Sequence, residues 1–384
     1  MKLEKVIPGG QTLGRLVDGK KVLVWGGLPD ETVEIEIYKV KKSYAKANVI
    51  RVIDASARRT EPRDECYLST SPWQIYDFEF ENELKNKLVV EAFRQEKIEV
   101  ELPPIKTDGQ EFNYRNKMEY SLWYDTEQMK IFLAFHKRGT HQKVPITHSS
   151  IERPEVFVEA QRIVEELNAK KDEARKYQSL VVRSDQRGKI SSALFENGKS
   201  HPDMENLMDE ILGKKFSYSP NGFFQINLPV YEMALLEMRR FIDLKYKVVD
   251  LYSGVGTIGL SVADDPILIE SNRFAAAEAT NNIRDLKLRD AKVICETTER
   301  SLNYITENIN LIVDPPRAGL DDTVTQRILE VGPPRVIYLS CNPTTQARDV
   351  ARLLVKYQII HTQAFNFFPH TPHIENLVIL EKIS

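Results

Sequence analysis

The sequence predicts an α/β protein whose C-terminal part forms a doubly wound parallel sheet, and the spacing of its apolar runs carries that expectation. From about residue 219, the runs KVVDLY, ILIE, AKVIC, NLIVD and RVIYLS alternate with helical segments such as NRFAAAEATNNIRDLK. That strand, turn and helix rhythm is typical of a sheet with helices on both faces. Before residue 60 the runs are short and alternating (KVLVWGG, ETVEIEIYKV, AKANVIRVI), and Gly or Pro-Asp separates them. Such a pattern predicts a small antiparallel β-barrel. A chain of 384 residues exceeds one ordinary domain. We therefore divide it into a barrel at 1–59, a central α+β unit at 60–218 and a Rossmann-like domain at 219–384.

Composition excludes several classes. With 42% hydrophobic and 28% charged residues the chain is an ordinary globular protein, neither disordered nor fibrous. No stretch approaches the roughly 20 apolar residues that span a bilayer, and MKLEKVIPGGQTLG has no apolar leader core. A cytoplasmic protein with no membrane partner is expected. Cys66, Cys295 and Cys341 are too few and too scattered for a disulfide framework, and they cannot supply a four-thiolate metal or iron–sulfur site. The net charge of −3 is uneven: residues 1–60 hold 12 Lys+Arg against 7 Asp+Glu, leaving 41 against 49 in the remainder. Positive charge is concentrated at the front, where a polyanion would be held.

The barrel hairpin YKVKKSYAK, residues 38 to 46, interleaves four lysines with Tyr38 and Tyr44. It reads either as a phosphate-holding edge with a stacking surface or as a lysine-rich edge that resists aggregation. In the central unit an amphipathic helix is expected near 79–97 and another near 154–170. FNYRNKMEYSLWY and KIFLAFHKRG look like facing strands that bring Arg115, Lys117, Lys137 and Arg138 to a groove. At the end of the chain, IIHTQAFNFF and IENLVILEK have no helix between them, so an antiparallel hairpin closes the sheet edge.

Four motifs carry chemistry. Gly254, Gly256 and Gly259 form a G-x-G-x-x-G turn between a strand and a helix, allowing a tight turn and close approach of a ligand. The next strand ends in Glu270, a carboxylate suited to both ribose hydroxyls of an adenosine cofactor. NLIVDPPRAGL sets Asp314, Pro315, Pro316 and Arg317 at the sheet edge, the prolines removing two donors so that carbonyls and the Asp face the site. Cys341 in YLSCNPTT precedes a helix opening at Thr344 or Thr345, where the dipole favours a thiolate; Cys295, inside AKVIC, reads as a core residue. In HTPHIE, an acid entering an apolar strand makes Glu375 partnered or functional. With seven His and neither H-E-x-x-H nor paired Cys, no metal site is expected.

Together these motifs resemble the RNA uracil-C5 methyltransferase family, S-adenosylmethionine-dependent enzymes that make 5-methyluridine in tRNA and rRNA. The barrel is similar to a TRAM domain, FNYRNKMEYS to the family's central signature, and SPNGFFQIN to its lead-in. DLYSGVGTIGL, DPPRAGL, YLSCNPTT and HTPHIE then come in family order. The resemblance implies that Gln225, Tyr252, Gly254, Gly256, Thr257, Glu270 and Asp314 hold S-adenosylmethionine. It implies Cys341 as the nucleophile at uracil C6 and Glu375 as the base at C5, with the uridine flipped from an RNA loop. Many relatives carry a cysteine cluster ahead of a Gln matched by Gln74; here ECYLSTSPWQ keeps only Cys66, so no iron–sulfur cluster is expected. CETTER departs from the family's strand-three acidic motif, which leaves the adenine contacts unassigned. Rival readings are an RNA amino-methyltransferase on the DPP motif, an NAD-dependent dehydrogenase on GVGTIG, and a non-catalytic RNA-binding module. Cys341 in SCNP discriminates against the first, binding of S-adenosylmethionine rather than NADH against the second, and the intact Cys341 and Glu375 against the third.

Overall fold

The computed structural model describes residues 1–170 and 174–383. The first sheet holds β1 (Leu3–Val6), β2 (Thr12–Arg15), β3 (Lys21–Trp25), β4 (Thr32–Val40) and β5 (Tyr44–Asp54), in the order β1-β2-β3-β5-β4. It closes on itself where Leu3 N donates to Glu31 O and Val33 N to Met1 O, each at 2.9 Å. The expected all-antiparallel pairing does not hold: β3 runs parallel to β5. Alternating burial marks a strand but leaves its neighbour undetermined, and the long hairpin β4–β5 returns on the far side of β3. Leu3, Val22, Val24, Val33, Ala45 and Ala47 fill the interior.

The middle of the chain begins with a single helical turn α1 (Tyr67–Thr70) and α2 (Phe78–Gln95). Asp77 caps α2 by accepting from Phe80 N, and Glu79 and Glu81 stand at the dipole's positive end. A six-stranded antiparallel sheet comes next, built from β6 (Lys117–Asp125), β7 (Lys130–His136), β8 (Lys143–Pro145), β9 (Ser179–Ser184), β10 (Ile190–Glu196) and β11 (Lys199–His201). Helix α3 (Pro154–Ala169) lays Val156, Ala160, Ile163, Val164 and Leu167 on it. The hairpin β12 (Leu207–Ile211) and β13 (Lys214–Tyr218) leads into the last part of the chain.

There α4 (Leu228–Arg239) precedes β14 (Lys247–Leu251), α5 (Thr257–Val262), β15 (Ile267–Glu270), α6 (Arg273–Asp285) and β16 (Lys292–Cys295). β17 (Ile309–Val313), α7 (Asp322–Val331), β18 (Arg335–Ser340), α8 (Pro343–Leu353), β19 (Tyr357–Phe365) and β20 (Glu375–Lys382) complete it. The sheet order is β16-β15-β14-β17-β18-β20-β19: five parallel strands, then the terminal hairpin with β20 inserted antiparallel to β18. The order reverses between β14 and β17, so the loops after these strands part and leave a crevice at their C-terminal ends. Helix α2 shares this sheet's core, with Leu84, Leu88, Val89 and Phe93 packed among Val249, Leu311, Val336 and Val378.

Cys295 is exposed, at the C-terminal end of edge strand β16. The apolar run AKVIC signals a strand, but an edge strand covers only part of its side chains, so the core reading of this thiol is corrected. Gln74 is the hub of a buried network. Its Oε1 accepts from Arg63 N at 2.9 Å and Asp64 N at 3.2 Å; its Nε2 donates to Asp64 Oδ2 and Ser71 Oγ, both at 2.7 Å. Asp64 also accepts from Ser150 N at 2.9 Å, fastening the segment before α2 to the loop before α3. Gln74→Ala strips a partner from the buried Asp64 N, Asp64 Oδ2 and Ser71 Oγ, and a loss of about 2–3 kcal/mol is expected from the urea unfolding midpoint.

Candidate active site

A cavity of about 840 Å³ opens at the crevice. Its wall brings together Gln225, Tyr252, Gly254, Glu270, Asp314, Cys341 and Glu375, seven of the nine residues that the motifs nominate. Each arrives for a local reason. Tyr252 leaves β14 with φ +62°, a left-handed turn that a non-glycine residue adopts only where its surroundings hold it. Gly254 has φ +56° and donates its N–H to Glu270 Oε2 at 2.8 Å, while Asn272 N donates to Glu270 Oε1 at 2.7 Å. Glu270 thus ties the Gly turn to the end of β15 at the wall of the cavity.

Gly256 and Thr257 lie outside this wall. Gly256 has φ +86°, and a Cβ there would stand 2.7 Å from Leu268 Cδ1 and 2.8 Å from Leu260 Cδ1. A Cβ on Gly259 would meet Leu268 Cδ2 at 2.5 Å. These two glycines let α5 pack onto β15, whereas a Cβ on Gly254 would meet nothing within 4 Å. Thr257 is buried beneath the turn, beside the Tyr231 hydroxyl.

Cys341 sits half-buried just before α8, which begins at Pro343, one or two residues earlier than its Thr-Thr pair suggests; Asn342 caps it by accepting from Thr344 N at 3.2 Å. The helix dipole does not decide the thiol's ionisation. Burial, with the negative charges of Glu375 and Asp314 added, pushes Cys341 up to about 11 against the opposing charge of Arg317 and a backbone hydrogen bond. The helix start is visible locally, whereas the two acids reach the thiol only through the fold, which corrects the expectation of a favoured thiolate. Burial likewise raises Asp314 to about 7 and, together with Asp314's charge, holds Glu375 well above the usual carboxylate range. Neither acid is ion-paired among the described residues, so the cavity is a buried site short of positive charge.

The same wall holds two aromatic side chains that no motif reading singles out, and it joins Arg317 to His373. Phe223 and Phe274 expose 76% and 80% of their surface at its mouth, Phe223 being the first aromatic of FFQIN. Arg317 donates from Nη2 to His373 Nδ1 at 3.1 Å, and burial, then Arg317's charge, lowers His373 to about 4, so that ring is neutral. Arg115 also lines the cavity, whereas Arg138 lines a neighbouring cleft and Lys117 donates to Asn221 O at 3.3 Å beneath the Gln225 loop.

The loop that delivers His373 and Glu375 is held from outside the sheet. Glu81 and Lys85 on α2 are fully buried and 2.8 Å apart. Lys85 Nζ donates to Asn366 Oδ1 at 2.6 Å and Phe368 O at 3.0 Å, and Glu81 accepts from His370 N at 2.9 Å. Trp73 N donates to His370 O and Tyr114 OH to Pro369 O, both at 3.0 Å.

Comparison with known proteins finds the "tRNA (Uracil-5-)-methyltransferase" family over residues 269–383 and the TRAM domain over residues 2–50. A Bacillus cereus protein described as an uncharacterized RNA methyltransferase is 28% identical over 94% of this chain and 91% of its own. A Treponema denticola protein with the same description is 27% identical over 100% and 98%. The crystal structure of Pyrococcus abyssi tRNA (uracil-54, C5)-methyltransferase, in complex with S-adenosyl-L-homocysteine, superposes with a TM-score of 0.75 at 23% identity and 99% coverage of both chains; at that identity the likeness is one of fold.

Lys85→Met leaves Glu81 buried without its counter-charge. A stability loss of about 3–5 kcal/mol is expected, read from the chemical unfolding midpoint, with partial recovery when Glu81→Leu is added to remove the second charge.

Proposed function

As an RNA methyltransferase that carries a uracil-5-methyltransferase family domain behind a TRAM domain, the chain has a defined task for this cavity, and we propose that it methylates C5 of a uridine through a covalent Cys341 adduct. The observation that carries this reading is the convergence of Cys341, Glu375 and Asp314 on one cavity at the sheet edge. An amino-methyltransferase or a dehydrogenase has no use for a thiol facing a buried acid there.

The cavity fits S-adenosylmethionine. Its volume accommodates a nucleoside-sized ligand, Glu270 presents lone pairs for ribose hydroxyls, and two unpaired buried acids suit a cationic sulfonium. When bound, the cofactor supplies an electrophilic methyl group. Gln225, Tyr252, Gly254, Glu270 and Asp314 would hold it, with Thr257 and Gly256 shaping the turn from below.

Cys341 acts as its thiolate. Its sulfur bonds to C6 of the uracil, and the C5–C6 π electrons shift toward C5 and O4 as an enolate, which makes C5 nucleophilic enough to take the methyl group. Glu375 then removes the C5 proton; C5=C6 re-forms as the C6–S bond breaks, and the thiolate leaves. Arg317 stands near both Cys341 and Glu375, favouring their ionised forms. Residues 1–59 and 60–218 are assigned to holding the RNA around a flipped uridine, with the lysine hairpin of the barrel among the contacts.

RNA containing 5-fluorouridine should trap a complex that survives denaturing gels, because fluorine at C5 blocks the elimination. Cys341→Ala should abolish both the complex and turnover, and Glu375→Gln should accumulate adduct on ordinary RNA. Methylation persisting in Cys341→Ala would remove the C5 mechanism, and mass-spectrometric mapping of 5-methyluridine in tRNA and rRNA, with and without the protein, identifies the substrate.

Asp314 also sets a pH dependence. Burial raises its folded-state pKa to about 7, so the folded protein keeps a proton that the unfolded chain, with an ordinary value of about 3.9, releases. The ligand-free protein is therefore stabilised by this group at low pH, and that contribution is lost as pH rises toward 7. A bound sulfonium favours the ionised acid, so the preference for S-adenosylmethionine over neutral S-adenosylhomocysteine should grow about tenfold between pH 5.5 and 8, measured by calorimetric titration.

A further inference from the structure

A second cleft, about 410 Å³ in volume, meets the thiol from the opposite side. It shares Cys341, Arg317 and His373 with the larger cavity, and continues to Thr70, to Arg138 at the end of β7, and to Pro8 and Gly9 of the barrel. Three parts of the chain therefore contribute to one cleft, and it ends on the reactive sulfur. With a cofactor in the larger cavity, this cleft is the other approach to Cys341 among the described residues.

Its charge is one-sided. Two guanidiniums line it, and none of its lining residues is a carboxylate. Arg138 lies over the Trp25 ring with its Cζ 4.4 Å from the centroid and donates from Nε to Leu68 O, so one edge of the fork is fixed by protein. Neither Arg138 nor Arg317 is ion-paired among the described residues. Burial lowers the pKa of Arg138, with the Tyr38 hydroxyl opposing, the mark of a cation kept from water without a counter-charge. The remaining groups around the cleft do not neutralise it: His373 is a neutral ring bonded to Arg317, and Asn342, Pro343 and Thr344 present the positive end of the eleven-residue helix α8. Arg317 also faces Glu375 across the larger cavity, so Arg138 is the guanidinium of this cleft that is left for an anionic partner.

We infer that this cleft takes the sugar–phosphate of the RNA strand next to the target uridine, with Arg138 as the phosphate counter-charge. The assignment rests on the uridine-methylation reading for the identity of the strand, and it goes beyond it in fixing where that strand runs: from the thiol, past Arg138, toward the barrel. The bidentate fork of arginine suits a phosphate, and Trp25 beneath Arg138 holds that fork flat.

The test uses fluorescein-labelled octauridylate and the full-length protein. Arg138→Gln should lower the slope of log Kd against log salt by about 0.7, the single-strand increment for one lost phosphate contact, while Arg138→Lys restores it and S-adenosylhomocysteine affinity stays unchanged. Saturating octauridylate should slow iodoacetamide alkylation of Cys341 about fivefold or more, leave Cys295 unaffected as an internal reference, and do so only weakly in Arg138→Gln at the same concentration. An unchanged salt slope in Arg138→Gln, or an unprotected Cys341 under saturating oligonucleotide, overturns the assignment. If the slope and protection behave as expected yet 5-fluorouridine RNA never forms an adduct, the cleft stands as a strand site and the uracil-C5 reading falls instead.

Discussion

The buried pair Glu81–Lys85 is the constraint on which the geometry around Cys341 depends. Both side chains are withdrawn from water, so each needs the other, and their leftover hydrogen-bonding capacity is satisfied by the main chain and Asn366 of the segment leading to Glu375. A buried ion pair is a weak contributor to net stability against an apolar replacement. What it provides here is direction: a donor and an acceptor at fixed positions on a rigid helix fit one path of the 366–370 backbone and penalise others. Because α2 shares a core with the C-terminal sheet, the helix and the strand that carries Glu375 are packed together as well as hydrogen-bonded through the loop.

Charge is partitioned about the thiol. On one side Asp314 and Glu375 are buried acids with no ion pair among the described residues; Arg317 lines both cavities, and on the other side Arg138 is a cation with no ion pair among them. Each imbalance is costly to an isolated protein, and each is relieved by a ligand of opposite sign arriving from its own side. The half-buried thiol between them is held poorly ionised by burial first and by the two acids second, against the charge of Arg317.

Much of this is legible in the sequence because the chemistry needs particular residue types at the ends of particular strands. Glu270 closes β15, Asp314 comes directly after β17 and Cys341 directly after β18, so an apolar run and the residue at its C-terminal end are enough to nominate each. The illegible part depends on distance in space. Alternation in KVLVW and YAKANVIRV marks two strands but gives no sign that they pair in parallel. AKVIC reads as interior because an edge strand and a central strand have the same composition at this length. The ionisation of Cys341 is misread from sequence because a helix start is a local signal, whereas the burial that raises the thiol, and the acids that add to it from the ends of β17 and β20, come only with the fold. Glu81 and Lys85 are hidden for a further reason: in FENELKNK they look like ordinary solvent-facing i,i+4 partners, and only the tertiary fold buries them. Gly256 and Gly259 mark a turn, as their spacing says, but not a ligand cradle, since packing of α5 onto β15 requires the same residue.

The place of β20 has a consequence for how the protein is made. It lies between β18 and β19 and is the last strand of its sheet to leave the ribosome. Until it arrives, β19 has no hydrogen-bonding neighbour in the sheet and β18 presents an unpaired edge, so the nascent chain carries an open, apolar seam. Glu375 is the first residue of that strand. The step that closes the seam is therefore the step that installs the acid beside the thiol, and a growing chain, however much else of it has folded, lacks Glu375 in the cavity until that strand is in place.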